Sequence, residues 1–317
     1  MASMPPLEER LALAEQTMRA LVADAELPPK IGVHPRPEGS FGHAMPAFLR
    51  GREPDGTGDG LGVKWVTGFT TNNALGLPAI NATVLIADPA TGATVGILDG
   101  GPITAERTAA VSGVAIRAFA PSVADRRRIR VALIGAGVQA RSHLPVIAHL
   151  LPGAELRLYD RHPDRAAALR DDAAAHPGVG SAVVAETARA AVDGADVVVT
   201  VASFGPVRQV MTDEWLTRDA LIVAVDYATY CSAEVARNAS LFLVDDRGQF
   251  LAGRAAGSFD DYPDPSATIG EALIAGSRRP VGRVVMTHLG VGLADVVFGR
   301  AILAAAEATG RGVVLPR

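Results

Sequence analysis

The chain has 317 residues, 49% hydrophobic and 20% charged, enough to bury a large core in one or two domains. A net charge of -4 gives no electrostatic reason for a nucleic-acid or anionic-membrane partner. Cys231 is the single cysteine, which excludes an intrachain disulfide and a cysteine metal cluster. The first 20 residues lack a basic-then-apolar leader, and no uncharged stretch reaches the roughly 18–20 residues that span a bilayer. The expectation is a soluble, cytoplasmic protein.

Residues 7–23 bring Leu7, Leu11, Ala14, Met18, Leu21 and Val22 near one helical face, an amphipathic helix that Pro28 and Pro29 cannot continue. Residues 30–60 are rich in Gly and Pro and read as irregular, with 51–60 the likeliest loop. Residues 62–66, 82–87 and 94–98 read as strands of an antiparallel meander, with a turn at 88–92. A helix rich in Ala and Val follows from about 104 to 120, and Pro121 ends it. The basic run from Arg126 to Arg130 reads as a solvated linker.

From 129 the rhythm changes to strand, helix, strand. Strands are expected at 130–134, 155–159, 182–185, 196–201, 221–225 and 241–244, separated by Ala-rich helical stretches such as 161–175 and 187–192. Such alternation predicts a parallel sheet covered on both faces. Pro145 falls inside the first of these helices and is expected to kink or break it. The pattern weakens after 260, and a strand near 283–287 and a helix near 293–308 complete the chain.

The first strand of this second part runs into Gly135-Ala-Gly-Val-Gln-Ala140, the G-x-G-x-x-G spacing with Ala140 in third place. Gly135 permits a tight turn, Gly137 lets backbone approach a pyrophosphate, and Ala140 is small enough for close helix packing. The N–H groups of Ala136, Val138 and Gln139 and the helix dipole would face the phosphates. Asp160 ends the next strand, 25 residues after Gly135, where a carboxylate accepts hydrogen bonds from the adenosine ribose. That acid favours NAD over NADP, while Arg161 beside it is the feature that would favour NADP.

A nucleotide fold does not name a reaction. Lys64 sits in an apolar strand, where a lysine is usually an edge residue reaching for water. Arg107 opens an apolar helix, commonly a surface position. Asp226 follows the strand 221–225, at the carboxyl end where open parallel sheets bind ligands. His34, His43 and His288 lack metal-ligand spacing and read as solvated or hydrogen-bonded histidines.

Taken together these residues resemble the ornithine cyclodeaminase/μ-crystallin family, from about Pro28 to Asp295. The resemblance rests on Met45-Pro-Ala47, Leu61-Gly-Val-Lys64, Asn73 with Gly76-Leu-Pro78, Leu98-Asp-Gly100, Ile103-Thr104 and Arg107-Thr-Ala-Ala110. It continues through the glycine loop, Gly270-Glu271 and Leu289-Gly-Val-Gly-Leu-Ala-Asp295. It implies that Lys64 and Asp226 move protons, facing each other across one cleft. It also implies that Arg107, with Lys30 and Met45, binds the substrate, and that Thr108, Ala202 and Asp226 contact the cofactor. In a cyclodeaminase, NAD⁺ takes a hydride from the α-carbon, a side-chain amine attacks the resulting imine, ammonia leaves and the hydride returns. Other members act as amino-acid dehydrogenases or imine reductases, and some as binding proteins. A planar guanidinium would grip the carboxylate with two hydrogen bonds, and a buried lysine beside an acid can be tuned for proton transfer.

Several positions depart from the ornithine pattern. Lys30 stands nearest to where a second carboxylate-binding arginine is expected, and His43 occupies the place of an acid in ornithine-specific members. Ala79 replaces a threonine, and residues 227–231 replace a glycine-lysine run. The expected architecture is α/β: a Rossmann-type doubly wound parallel sheet over residues 121–288, with a β-rich α+β substrate and dimerisation domain over 1–120 completed by 289–317. The expected function is an NAD(H)-dependent oxidoreductase or deaminating cyclase for an amino acid or its imine, not ornithine-specific. A net imine reductase or amino-acid dehydrogenase and a non-catalytic binding protein are the alternatives. The expected assembly is a homodimer closed by the meander strands.

Overall fold

The computed structural model describes residues 3–123, 127–203 and 208–315. Met1, Arg126 at the head of the basic run, and Arg317 lie outside these, as does the side chain of Asn73. The chain divides into two compact units, Met1–Arg107 with Gly290–Arg317, and Thr108–Leu289.

In the first unit, α1 (Leu7–Ala20) precedes β1 (Ala25–Glu26), β2 (Ile31–Val33), β3 (Phe41–Leu49), β4 (Gly60–Gly68), β5 (Ile80–Ala87) and β6 (Thr94–Asp99). The order is β1-β3-β4-β5-β6, with β2 also on β3, and the pairing is antiparallel throughout. The meander is therefore longer than the sequence suggests: β2 and β3 lie in the stretch read as irregular. Gly42, His43 and Pro46 disguise β3, yet its alternate residues Met45, Ala47 and Leu49 are buried, the period of a half-buried strand.

Helix α2 (Gly100–Phe119) contains the boundary between the units, and α9 (Gly292–Ala308) returns to cover the first sheet. α9 buries Leu293, Val296 and Phe298. It approaches β3 so closely that a Cβ on Gly292 would stand 2.5 Å from the Met45 carbonyl oxygen.

In the second unit the strands are β7 (Arg130–Ile134), β8 (Ala154–Tyr159), β9 (Val179–Val184), β10 (Val197–Thr200), β11 (Leu221–Ala224), β12 (Leu241–Val244), β13 (Ala267–Thr268) and β14 (Val284–Thr287). All pair in parallel, in the order β13-β12-β14-β11-β10-β7-β8-β9. Between them run α3 (Val138–Leu150), α4 (Pro163–Ala174), α5 (Ala188–Val192), α6 (Ala233–Arg237), α7 (Arg247–Ala255) and α8 (Ile269–Ile274). Every residue of β10, β11 and β14 is buried, as expected of central strands covered on both faces. This is the doubly wound α/β architecture expected from the alternation.

Three details differ from expectation. α3 runs unbroken through Pro145, because Leu144, Val146, Ile147 and Ala148 are all buried and their packing outweighs one missing N–H bond. α7 follows β12, and α8 lies in the region after 260 where the pattern weakens. Asp246 caps α7, and Thr268 with Glu271 forms a capping box on α8. The basic run is also anchored: Arg127 grips Asp196 with two bonds of 2.7 Å, and Asp196 accepts the Arg130 N–H.

The approach of α9 yields a stability forecast. Gly292→Ala forces a methyl group against the Met45 carbonyl and should destabilise the fold by about 1–3 kcal/mol in urea denaturation. Gly137→Ala, where an added Cβ meets nothing within 4 Å, should leave stability unchanged.

Candidate active site

The first unit holds a buried charge cluster. Lys64 lies in the middle of β4, between β3 and β5, and is 1% exposed. Its Nζ is 2.7 Å from Asp295 Oδ2 and donates to Thr104 Oγ1 at 3.4 Å. Asp295, in the first turn of α9, is fully buried, and its Oδ1 accepts from Arg107 Nε at 3.1 Å. One carboxylate thus ties together β4, α2 and α9. Burial pulls the Lys64 pKa from its ordinary 10.5 down to about 7; Arg107 adds to the fall and Asp295 opposes it. Lys64 can therefore be neutral or charged close to physiological pH.

The sequence-level candidates of this unit fall around that cluster. Arg107 is buried in the second turn of α2, not a surface residue, and Lys64 is central rather than at an edge. Met45, 4% exposed, stands opposite Lys64 in the β3–β4 register. Lys30 is half-buried and close enough to lower the Lys64 pKa further. Within this unit the ionic partner of Lys64 is Asp295. An acid in a first helical turn ordinarily reads as a complement to the helix dipole, which hid its role. Its signal was isolation: it is the one charged residue in the run 289–299.

In the second unit the glycine loop leaves β7 at the point where the strand order reverses, between β7 and β10. Gly135 has φ +108, and a Cβ there would meet the Val201 carbonyl at 2.7 Å, so the turn requires glycine. Gly137 precedes α3, whose first turn carries neither a capping side chain nor an acid. Asp160 accepts the Ala136 N–H and the His162 N–H, each at 2.8 Å, and so braces the loop from the end of β8. A cavity of about 160 Å³ adjoins it, lined by Tyr159, Asp160, Pro163, Val184, Ala185 and Glu186. Arg161 is exposed and turned to His162. Val138 is 70% exposed and Thr108 is buried. Open space at Gly137, uncapped N–H groups and an acid beside a cavity fit a dinucleotide with its pyrophosphate on the loop.

Asp226, just past β11, is 1% exposed. It accepts from Thr200 Oγ1 at 2.6 Å and from the Ala202 N–H at 3.3 Å. Burial raises its pKa to about 7, more than those bonds lower it. The next residue, Tyr227, adopts φ +59, a strained conformation for a tyrosine, and its hydroxyl donates to the Leu289 carbonyl.

A second polar chain escaped sequence reading. His143 Nδ1 lies 2.6 Å from the Gln139 carbonyl, which can only accept, so that nitrogen carries the proton. Burial lowers the His143 pKa to about 4, so the ring is neutral and its Nε2 accepts from Ser112 Oγ at 2.8 Å. Ser112 Oγ in turn accepts from His288 Nε2 at 2.9 Å. This directional chain braces the first turn of α3. His288 is accordingly a hydrogen-bonded histidine, as expected. His43, half-buried, stacks on Phe41.

Comparison with known proteins bears on what this arrangement serves. Residues 2–276 match the ornithine cyclodeaminase/mu-crystallin family. The nodulation efficiency protein NfeD of Rhizobium meliloti is 31% identical over 98% of this chain and 94% of its own. The ketimine reductase mu-crystallin of Mus musculus is 33% identical over 53% of this chain and 50% of its own length. The structure of Thermococcus litoralis Δ1-pyrroline-2-carboxylate reductase, in complex with NADH and L-proline, gives a TM-score of 0.83 at 23% identity. That match covers 98% of this chain and 97% of the other.

The Asp226 environment makes a pH prediction. Its folded pKa lies above the unfolded value of about 3.8, so from there to about 7 the folded chain holds a proton that the unfolded chain releases. Its contribution is complete below that window and is lost as pH rises through it. Asp226→Asn, which cannot ionise, should gain on the wild type between pH 4 and pH 8 by up to about 4 kcal/mol. Urea denaturation of both proteins across that range checks it; parallel profiles would mean that Asp226 stays ionised.

Proposed function

The chain belongs to the ornithine cyclodeaminase/mu-crystallin family, and from that membership we propose that it is an NAD(H)-dependent oxidoreductase acting on an α-amino acid or its imine. The observation that carries this reading is the buried Lys64–Asp295–Arg107 cluster. Two buried cations around one carboxylate leave excess positive charge where a substrate carboxylate can bind, and an amine tuned near neutrality for proton transfer.

Each residue then has a task. Arg107, with Lys30, holds the substrate carboxylate, and buried Met45 gives that site an apolar wall. Lys64 Nζ and the Asp226 carboxyl are the proposed proton carriers, each able to change protonation near pH 7. Asp295 keeps Lys64 and Arg107 in position. Gly135, Ala136, Gly137, Val138 and Gln139 would hold the pyrophosphate, Asp160 the adenosine ribose, and Thr108 and Ala202 other parts of the dinucleotide. The bound nicotinamide supplies a hydride acceptor or donor. Asp160 would repel a 2′-phosphate, which favours NAD(H) over NADP(H).

Net imine reduction, with the dinucleotide exchanged at every turnover, is favoured over cyclodeamination. The mouse relative is named a ketimine reductase and the Thermococcus litoralis protein a pyrroline-carboxylate reductase. A homodimer is proposed as well, because Ile31, Val33, Trp65 and Ile97 are exposed on the first unit's sheet.

Screening amino acids and cyclic imines while following nicotinamide absorbance tests the reading. Stoichiometric NADH oxidation by an imine is expected; ammonia release with no net absorbance change would indicate a cyclodeaminase, and no turnover of any imine or amino acid would refute the enzyme reading. Lys64→Ala should lower turnover by about 10²–10⁴-fold with little change in dinucleotide affinity. Arg107→Lys should chiefly raise KM, because lysine lacks the planar fork. Light scattering should give twice the chain mass at micromolar concentration.

A further inference from the structure

The sheet register gathers a second group of basic side chains, two imidazoles and Lys30, on the face that carries Lys64. Gly32 stands opposite His43, His43 opposite Val66, and Met45 opposite Lys64. Side chains alternate between faces along each strand, so His43 and Lys64 are diagonal neighbours on one face. Lys30 and His34 lie two residues either side of Gly32 and share its parity. A Cβ on Gly32 would stand 3.3 Å from His43 Nε2 and 3.9 Å from His34 Cε1, so both imidazoles border the space that glycine leaves open. The His43 pKa is lowered by burial first and then by the charges of Lys30, His34 and Lys64. The His43 ring is therefore held neutral, a hydrogen-bonding group with Lys30 and Lys64 near enough for their charges to act on it.

Composition sharpens the point. Among the chain's 30 basic residues only Lys30 and Lys64 are lysines, and both serve this group. The carboxylate of the cluster, Asp295, is already shared between Lys64 and Arg107.

We propose that the substrate carries a second carboxylate on its side chain, so that this site takes an α-imino dicarboxylate and the amino dicarboxylate formed from it. The inference rests on the function proposed above and names its substrate class. Arg107, with Lys30, receives the α-carboxylate, and His43 and His34 face the other. A cationic side chain would instead bring like charge near Lys30, a repulsive element against diamino acids. In the reduction the C=N carbon accepts a hydride from NADH and the nitrogen accepts a proton. The C=N double bond becomes a CH–NH single bond, NADH becomes NAD⁺, and both carboxylates pass through unchanged.

Two measurements test this. The first compares kcat/KM with NADH for iminosuccinate, formed in situ from oxaloacetate and ammonia, and for Δ1-pyrroline-2-carboxylate. The dicarboxylate should be preferred by about 10-fold or more. His34→Glu, at an exposed position, should lower the ratio of dicarboxylate to monocarboxylate kcat/KM about 10-fold or more. The second is calorimetric titration with succinate and butyrate at fixed ionic strength, which needs no turnover; succinate should bind at least about 10-fold more tightly. Efficient reduction of the monocarboxylic imine without a dicarboxylate preference, or equal binding of succinate and butyrate, overturns the substrate class and leaves the proposed function standing. Succinate selectivity without NADH oxidation by any imine upholds the dianion site and defeats the proposed reaction.

Discussion

The first unit depends on a single buried carboxylate. Asp295 is fully enclosed and faces two buried cations, Lys64 and Arg107. Deleting one partner of such a cluster typically costs about 3–5 kcal/mol, because the remaining charge is stranded away from water. The three residues come from β4, α2 and α9, far apart in sequence. Their pairing is a reason for the last helix to fold back onto a sheet made near the start of the chain. Replacing the cluster with apolar side chains of similar size would suit stability as well or better. Under the function proposed above, its presence serves chemistry rather than folding.

The second unit solves a different problem. Its central strands are Val- and Ile-rich and buried on both faces, so polar function is confined to their carboxyl ends. There the glycine loop, Asp160, Thr200, Ala202 and Asp226 are tied by short hydrogen bonds running between adjacent strand ends. The Ser112–His143–His288 chain braces the same loop from behind. The loop is thus held by its own protein groups, a form of preorganisation that spares a bound dinucleotide the entropy of ordering it.

How far the sequence discloses this depends on how local each signal is. The parallel strands are legible because continuous apolar runs separated by Ala-rich helices have few other readings. The glycine loop and Asp160 are legible from spacing alone. β3 is not, because His43 and Pro46 break the look of a strand whose partners on both sides nonetheless fix it. α8 carries a visible capping box at Thr268 and Glu271, yet only six helical residues follow the cap. Lys64 and Arg107 are marked as unusual by their apolar settings, but burial of both depends on contacts made across the fold. Asp295 closes the motif 289–295, while its ionic role appears only where the last helix meets β4.

Burial and the charge of Arg107 bring the Lys64 pKa down to about 7, against the pull of Asp295. With only two lysines in the chain, Lys64 can be followed by carbon NMR after ε-carbon labelling, and Lys64→Arg assigns its signal. Its titration midpoint should lie near 7 and move lower in Asp295→Asn as the opposing carboxylate charge is removed. A midpoint near the ordinary lysine value of 10.5, unmoved by Asp295→Asn, would contradict it.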